Sequence, residues 1–123
     1  MEEISAAKIR EIHDGIIGRN GVDCRILSEA GLNQLVFRAN LTADTVQKAA
    51  FILYSLSAYP VFREGNTETA IDLCEQVLAA GGIRLRNRRA EMTRLTDGIL
   101  SFMTEPEDIE QWLYQNVEKA GSS

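Results

Sequence analysis

One loop-to-helix segment, residues 59–70, carries the groups best placed to do chemistry. It contains the turn Glu64-Gly65-Asn66, and helical periodicity begins immediately after that turn. The first turn of a helix leaves backbone N–H groups without intrahelical partners, and such groups favour anions. The carboxylate of Glu64 stands beside them in the sequence. The spacing therefore predicts a place where an anion or a metal-bound phosphate could bind.

The other chemistry-bearing residues are isolated from one another. His13 is the only histidine, and it directly precedes Asp14 in a predicted helix. Adjacent helical residues point in different directions, so we expect no catalytic dyad and favour a structural or surface role for His13. Cys24 and Cys74 lie far apart and form no C-x-x-C pair, which predicts neither a zinc site nor a redox motif.

Composition and charge narrow the class of protein. The chain has 123 residues, of which 45% are hydrophobic and 25% charged, so we expect one folded domain over residues 1–120 and a disordered tail at 121–123. The formal net charge is −5. DNA and anionic membranes attract cationic surfaces, so neither is an expected partner. The acidic N-terminus does not resemble a secretory signal, and we expect a cytoplasmic protein.

One basic cluster interrupts this acidic chain. Its members are Arg84, Arg86, Arg88, Arg89 and Arg94. The cluster could dock an acidic peptide or RNA, but we favour a solvated face whose charge is offset by Glu91 and Asp97.

Helical periodicity runs along the whole chain and predicts an all-α fold, a single compact bundle of about six helices. Ser5 is the expected N-cap of the first helix, which the residues from Gly18 to Gly21 should end. Thr42 is the expected N-cap of the third helix. The third helix is apolar on most of its faces, so we expect it at the centre of the bundle.

The second half of the chain continues this pattern. A fourth helix is expected to begin at Asn66, and alternation over residues 83–86 predicts a short extended segment. A capping box between Thr104 and Glu107 should open the sixth helix. The apolar residues that mark the fifth helix are Met92, Leu95, Ile99 and Met103. Those expected on the buried face of the sixth are Ile109, Trp112, Leu113 and Val117.

The segment from Pro60 to Ala70 resembles the Fic/Doc motif, whose pattern is His-x-Phe-x-(Asp/Glu)-(Gly/Ala)-Asn-x-Arg-Thr-Ala. The residues that match are Phe62, Glu64, Gly65, Asn66, Thr69 and Ala70. Residues 12–21 also resemble the first-helix signature of the death-on-curing (Doc) branch, and residues 70–82 and 104–114 resemble its later helices. The resemblance covers nearly the whole chain and implies a Fic/Doc-type helical fold.

Two positions depart from the family pattern, and at both of them the chemistry of active relatives requires a particular side chain. Pro60 stands at the position of the catalytic histidine, and Glu68 stands at the position of the motif arginine. In active relatives the histidine accepts the proton of the target hydroxyl, a role for which proline has no titratable group. The arginine of relatives holds nucleotide phosphates, which a glutamate repels.

The resemblance also assigns roles to the remaining motif residues. It implies a Mg²⁺ ligand at Glu64 and contacts to nucleotide phosphates at Gly65, Asn66 and Thr67, should that function be retained. Phe62 occupies the aromatic position of the motif.

Two functions of different classes follow from the resemblance. The favoured one is a catalytically inactive, Doc-like protein of the toxin–antitoxin type, which binds an antitoxin-like peptide or a protein target. The alternative is an active transferase that moves a phosphoryl or nucleotidyl (AMP) group onto a protein hydroxyl. Its donor would be ATP or another nucleoside triphosphate with Mg²⁺. Nucleotide binding and the formation of a homo-oligomer are left open by the sequence.

Overall fold

Six helices and a two-stranded sheet make up the described part of the chain in a computed structural model. The structure describes residues 4–20, 26–86 and 89–119. The elements are α1 (Ala6–Asn20), α2 (Glu29–Leu41), α3 (Thr45–Ala58), α4 (Asn66–Ala80), β1 (Ile83–Leu85), α5 (Arg89–Leu100), α6 (Pro106–Asn116) and β2 (Val117–Lys119). The all-α bundle expected from the sequence is confirmed. Among the described helices, none combines the length and the apolar character that crossing a membrane requires.

The third helix lies at the centre of the bundle, as its apolar faces predict. It packs against α2, α4, α5 and α6, whereas α1 packs against α2 and α4. The buried residues of α3 are Val46, Lys48, Ala49, Ala50, Ile52, Leu53, Leu56 and Ser57. Their burial removes apolar surface from water on several sides of one helix, which is the main force holding such a bundle together. The arrangement also brings the end of α3 against the start of α4, where the motif lies.

The start of α1 agrees with the sequence-based prediction, but the start of α3 does not. The Ser5 Oγ accepts a 3.1 Å hydrogen bond from the Lys8 N–H, as an N-cap does. Thr42 is instead the C-cap of α2, which continues through Leu41. Asp44 caps α3, because its Oδ1 accepts a 2.9 Å bond from the Gln47 N–H. Threonine and aspartate are both good N-caps, so their spacing alone could not decide between them.

The predicted capping box of the last helix is displaced by one residue. The Asp108 carboxylate accepts a 2.9 Å bond from the Glu105 N–H, so Glu105 replaces Thr104 and Asp108 replaces Glu107 in that role. The displacement follows from Pro106, which occupies the first helical position that proline favours.

Two apolar residues also lie outside the helices to which the sequence assigned them. Met103 lies beyond the end of α5 and is exposed, because the helix stops at Leu100. Val117 leaves α6 and begins β2, where it pairs with Leu85. The remaining buried-face predictions for α6 hold for Ile109 and Leu113.

The extended segment predicted near residues 83–86 is a strand with a partner. β1 pairs with β2 in antiparallel register, so that Arg84 faces Glu118. The Arg84 guanidinium lies 3.1 Å from the Glu118 carboxylate. The pairing brings residues 117–119 beside the strand that follows α4.

Several expectations fall outside the described residues. These are the end of the first helix at Gly21, the environment of Cys24, the side chain of Arg88 and the tail at 121–123. The last described residue of α1 is Asn20, which lies within the stretch from Gly18 to Gly21 predicted to end the helix.

Candidate functional site

The loop that joins α3 to α4 is shaped by the side chain of Asn66. Its Oδ1 accepts hydrogen bonds from the N–H groups of Val61, at 3.1 Å, and Phe62, at 3.0 Å. Its Nδ2 donates a 2.8 Å bond to the Phe62 carbonyl. Asparagine can satisfy three backbone groups in this way because its amide carries both a donor and an acceptor. The side chain of Asn66 therefore sets the conformation of the loop.

Gly65 begins α4 in a conformation that only glycine adopts readily. Its φ is 79° and its ψ is 15°, which is the left-handed region. A Cβ at this position would also lie 3.0 Å from Ile17 Cδ1, in a tight contact with α1. Because glycine has no side chain, it cannot cap the first-turn N–H groups of α4. Those groups are the feature that the sequence marked as a potential anion site.

His13 connects α1 to the back of this loop. The side chain is 0% exposed, and its ring stacks on Phe62 with centroids 3.6 Å apart and planes 7° apart. Its Nε2 donates a 2.7 Å hydrogen bond to the Glu64 carbonyl, which fixes the proton on that nitrogen. Its Nδ1 lies 3.8 Å from an Asp14 carboxylate oxygen, beyond hydrogen-bond distance. The structural role predicted for His13 is confirmed by this burial.

A second connection joins the loop to the start of α2. Ile26 and Phe62 form an isolated antiparallel β-bridge. The N–H of Leu27 donates a 2.7 Å bond to the Val61 carbonyl. Because the bridge joins residues 36 positions apart, no local pattern in the sequence predicted it.

An open cavity of about 340 Å³ lies at the start of α4, and it gathers most of the motif. The motif residues that line it are Pro60, Phe62, Gly65, Asn66, Thr67 and Glu68. The other lining residues are Leu27, Ser57, Arg63 and Leu100. We call this the site cavity. The structure thus brings together all the predicted site residues except Glu64, which is exposed and does not line it.

Charge at the start of α4 disfavours a second anion in the site cavity. Glu68 lies in the first turn, where the helix macrodipole stabilises a carboxylate by about 0.3–1 kcal/mol. Glu68 is exposed, so water screens its charge, and the roughly 4 kcal/mol of repulsion for two unit charges about 4 Å apart at an effective dielectric near 20 is an upper bound. Glu68 makes the potential at the start of α4 less favourable for a second anion, although Arg63 lines the same cavity.

Ser57 is a site residue that sequence reasoning missed. Its Oγ is buried and has no hydrogen-bond partner within the described part of the chain. The residue lines the site cavity from the last turn of α3. The sequence offers little signal, because Ser57 is one of two serines near the end of this helix and lies three residues before Pro60.

The lining of the site cavity does not include the metal ligand that the resemblance implies. Glu64, the implied metal ligand, stands outside the lining of the site cavity, while the carboxylate of Glu68 belongs to it. Within the described residues, no group of three or more His, Cys, Asp or Glu side chains is arranged to hold a metal ion. Mg²⁺ binding by Glu64 stays a prediction.

The described members of the basic cluster lie on the surface, as a solvated face requires. Arg84, Arg86 and Arg94 are exposed. Arg84 pairs with Glu118 across the sheet, and Glu91 accepts a 3.1 Å hydrogen bond from the Trp112 indole. The offset of the cluster by Glu91 and Asp97 stays a prediction.

Comparison of the sequence with family models gives no match, and comparison with curated proteins finds none that is significantly similar. The resemblance to the Fic/Doc family accordingly stays a prediction that rests on the motif and on the helix segments quoted with it.

Proposed function

We propose that this chain is a Fic/Doc-type protein of the toxin–antitoxin kind that has lost group transfer and acts by binding another protein. One observation carries the proposal. Pro60 and Glu68 line the same cavity, at the two motif positions where transfer needs a proton acceptor and a cation. Neither residue can supply the group that its position requires.

Arg63, the cation among the lining residues, lies in the loop before α4 and not at the motif position, and no histidine of the described residues lines the site cavity. His13 is the only histidine, but it is buried behind Phe62 and its Nε2 proton is donated to the Glu64 carbonyl. The carboxylate of Glu68 could accept a proton, yet the same charge repels the phosphates that the reaction would have to bring there. One side chain cannot meet both requirements at the start of α4.

The binding of another protein needs neither a proton acceptor nor a cation at these two positions. The resemblance implies a partner such as an antitoxin-like peptide, since Doc relatives are neutralised when part of an antitoxin folds into a groove. A protein target of the kind that active relatives modify is the other partner consistent with this fold. A protein with these partners would act in the cytoplasm.

The decisive assay is transfer of label from nucleoside triphosphates to protein. The purified chain is incubated with cell lysate and with ATP or GTP labelled at either the α- or the γ-phosphate. We expect no labelled protein above a lysate-only blank. The double variant Pro60→His, Glu68→Arg restores the two missing groups, and we expect it to transfer label.

A matched variant shows whether transfer requires the new histidine and arginine or only the removal of Pro60 and Glu68. Pro60→Ala, Glu68→Ala deletes both side chains and should transfer nothing. Transfer of label by the wild-type chain would overturn the proposed loss of chemistry. A folded double variant that stays inactive would contradict the Fic/Doc-type arrangement of the site.

A further inference from the structure

The turn between α5 and α6 exposes a group of large apolar side chains. Leu100 is 56% exposed, Phe102 is 90% exposed and Met103 is 80% exposed. Together these side chains present on the order of a few hundred Å² of apolar surface, which is the size that marks interaction sites on soluble proteins. Scattered single apolar residues need no explanation, but three within four positions of one turn do.

The backbone conformation of residue 102 is one that disfavours a bulky side chain such as that of Phe102. The Met103 N–H donates a 2.8 Å bond to the Gly98 carbonyl, and the Phe102 N–H donates a 3.1 Å bond to the Ile99 carbonyl. This pair of bonds is a Schellman ending of a helix, and it places Phe102 at the position that glycine usually occupies. Its φ is 62°, in the left-handed region where a bulky side chain is disfavoured.

Neither burial nor backbone preference therefore accounts for phenylalanine at this position. A glycine would adopt the same conformation with less strain and would expose less apolar surface to water. A residue that costs stability in two ways, and that projects fully into solvent, points to a contact outside the chain.

The stretch of chain that contains the turn is acidic. Residues 95–118 contain no lysine or arginine. The acidic residues of this stretch are Asp97, Glu105, Glu107, Asp108, Glu110 and Glu118. Glu105 and Glu107 are exposed and follow Met103 directly in the chain. The apolar side chains thus have an anionic flank.

The same turn reaches the site cavity. Leu100 lines the cavity together with Leu27, which is itself exposed. Glu68 and Arg63 line the same cavity with opposite charges. The apolar surface is therefore continuous from the α5–α6 turn to the start of α4, while the anionic flank is that of Glu105 and Glu107.

We infer that this turn surface (Leu100, Phe102, Met103, Glu105 and Glu107) binds a partner segment that combines apolar side chains with lysine or arginine. The inference deepens the proposed binding function, on which it rests. Apolar contacts with Phe102 and Met103 provide the affinity, and the carboxylates of Glu105 and Glu107 select a basic segment over an acidic one. Charge complementarity favours this partner over an acidic peptide or RNA.

A peptide pair of opposite charge tests the inference on the full chain. Two fluorescein-labelled 15-residue peptides carry leucine at helical spacing, one with lysine and one with glutamate at all the other positions. Fluorescence anisotropy should show the lysine peptide binding at least tenfold more tightly than the glutamate peptide. The double variant Glu105→Gln, Glu107→Gln should bind the lysine peptide several-fold more weakly, whereas Glu11→Gln on α1 should leave its affinity within twofold.

Phe102→Gly separates binding from folding, because the two effects have opposite signs. Affinity for the lysine peptide should fall at least tenfold, while Tm stays equal to that of the wild type or rises by a few degrees. Phe37→Ala is the matched control, since Phe37 is also exposed but lies on α2. It should leave the affinity within twofold.

Three results would overturn the inference. In the first, Phe102→Gly and Phe37→Ala bind the lysine peptide with equal affinity. In the second, the wild type binds both peptides with equal affinity. In the third, sedimentation shows a self-associated wild type, and Phe102→Gly abolishes the association. The last result would make a second copy of the chain the occupant. Each leaves the label-transfer assay unaffected, so failure of the turn surface is distinguishable from failure of the proposed function.

Discussion

Glu68 is a carboxylate at a helix start that otherwise favours anions. It is stabilised there by the helix macrodipole and lines the site cavity, so it takes up the favourable potential that a phosphate would use. The hypothesis is that Glu68 partly fills the phosphate position. We expect the carboxylate of Glu68 to weaken the binding of a phosphate there and to stabilise the start of α4.

Glu68→Arg should increase the affinity for ATP with Mg²⁺ at least tenfold in titration calorimetry. The physical reason is the reversal from repulsion to attraction at the start of α4, where tenfold corresponds to about 1.4 kcal/mol. Glu11→Arg makes the same change of charge on α1, outside the site cavity, and should change the affinity less than threefold. Equal affinity of the wild type and Glu68→Arg for ATP would show that Glu68 does not oppose phosphate binding.

His13 is a structural residue that joins the first helix to the motif loop. His13→Ala should lower the free energy of unfolding by about 3–5 kcal/mol, because it removes a buried ring and leaves the Glu64 carbonyl without its donor. Urea unfolding at pH 7 measures this loss. Asp14→Asn should change stability by no more than about 0.5 kcal/mol, since Asp14 is exposed. A large, equal effect of both substitutions would indicate that the two residues act as a pair.

The site could be predicted from the sequence only where its residues are neighbours in the chain. Pro60, Gly65 and Glu68 reach one cavity because a single loop and helix turn carry them. The hydrogen bond of His13 to the Glu64 carbonyl spans 51 residues, and the contribution of Leu100 depends on how α5 packs. Such contacts leave no periodic signal in either segment.

At the scale of the helices, the start of α3 depends on Asp44. Asp44→Ala should lower the free energy of unfolding by about 1 kcal/mol, within the range of roughly 0.5–2 kcal/mol seen for N-caps. Its Oδ1 also accepts a 2.9 Å hydrogen bond from the Tyr114 hydroxyl, so Tyr114→Phe measures that part of the loss separately. Thr42→Ala should cost no more than about 0.5 kcal/mol. A larger effect at Thr42 than at Asp44 in urea unfolding would move the start of α3 to the earlier residue.

The helices themselves were predictable because amphipathic periodicity extends over many residues. Their ends were less so. Thr42 and Asp44 are equally good caps two residues apart, and Thr104 and Glu105 precede the same Pro106. Val117 continues the apolar pattern of α6, yet it pairs with β1 because that strand lies beside the helix end. Pairing between distant segments decides what local spacing leaves open.

At the scale of the whole molecule, one thiol reports on the integrity of the core. Cys74 is fully buried, and burial, followed by the nearby charge of Glu75, raises the pKa of its thiol well above the ordinary value. Because the thiol pKa is higher in the folded state than in the unfolded state, the full free energy of unfolding is kept while the thiol is protonated in both states. The free energy of unfolding falls as the pH rises above the ordinary thiol pKa of about 8.5.

Alkylation of Cys74 should therefore require unfolding of the chain. Iodoacetamide labelling, read by peptide mass mapping, should be negligible in the folded protein between pH 7 and 9 and rapid in 8 M urea. A free thiol would instead react faster at each step of increasing pH. Labelling of folded Cys74 that rises with pH like that of a free thiol would contradict a closed core around α3 and α4.

The proposed loss of group transfer rests on Pro60 and Glu68, which line one cavity. It is best tested by the amount of α- or γ-phosphate label that the wild-type chain transfers to lysate protein, compared with Pro60→His, Glu68→Arg at equal concentration. We expect the wild type to equal the lysate-only blank and the double variant to exceed it. Transfer by the wild type at a rate comparable to that of the double variant would refute the loss of group transfer.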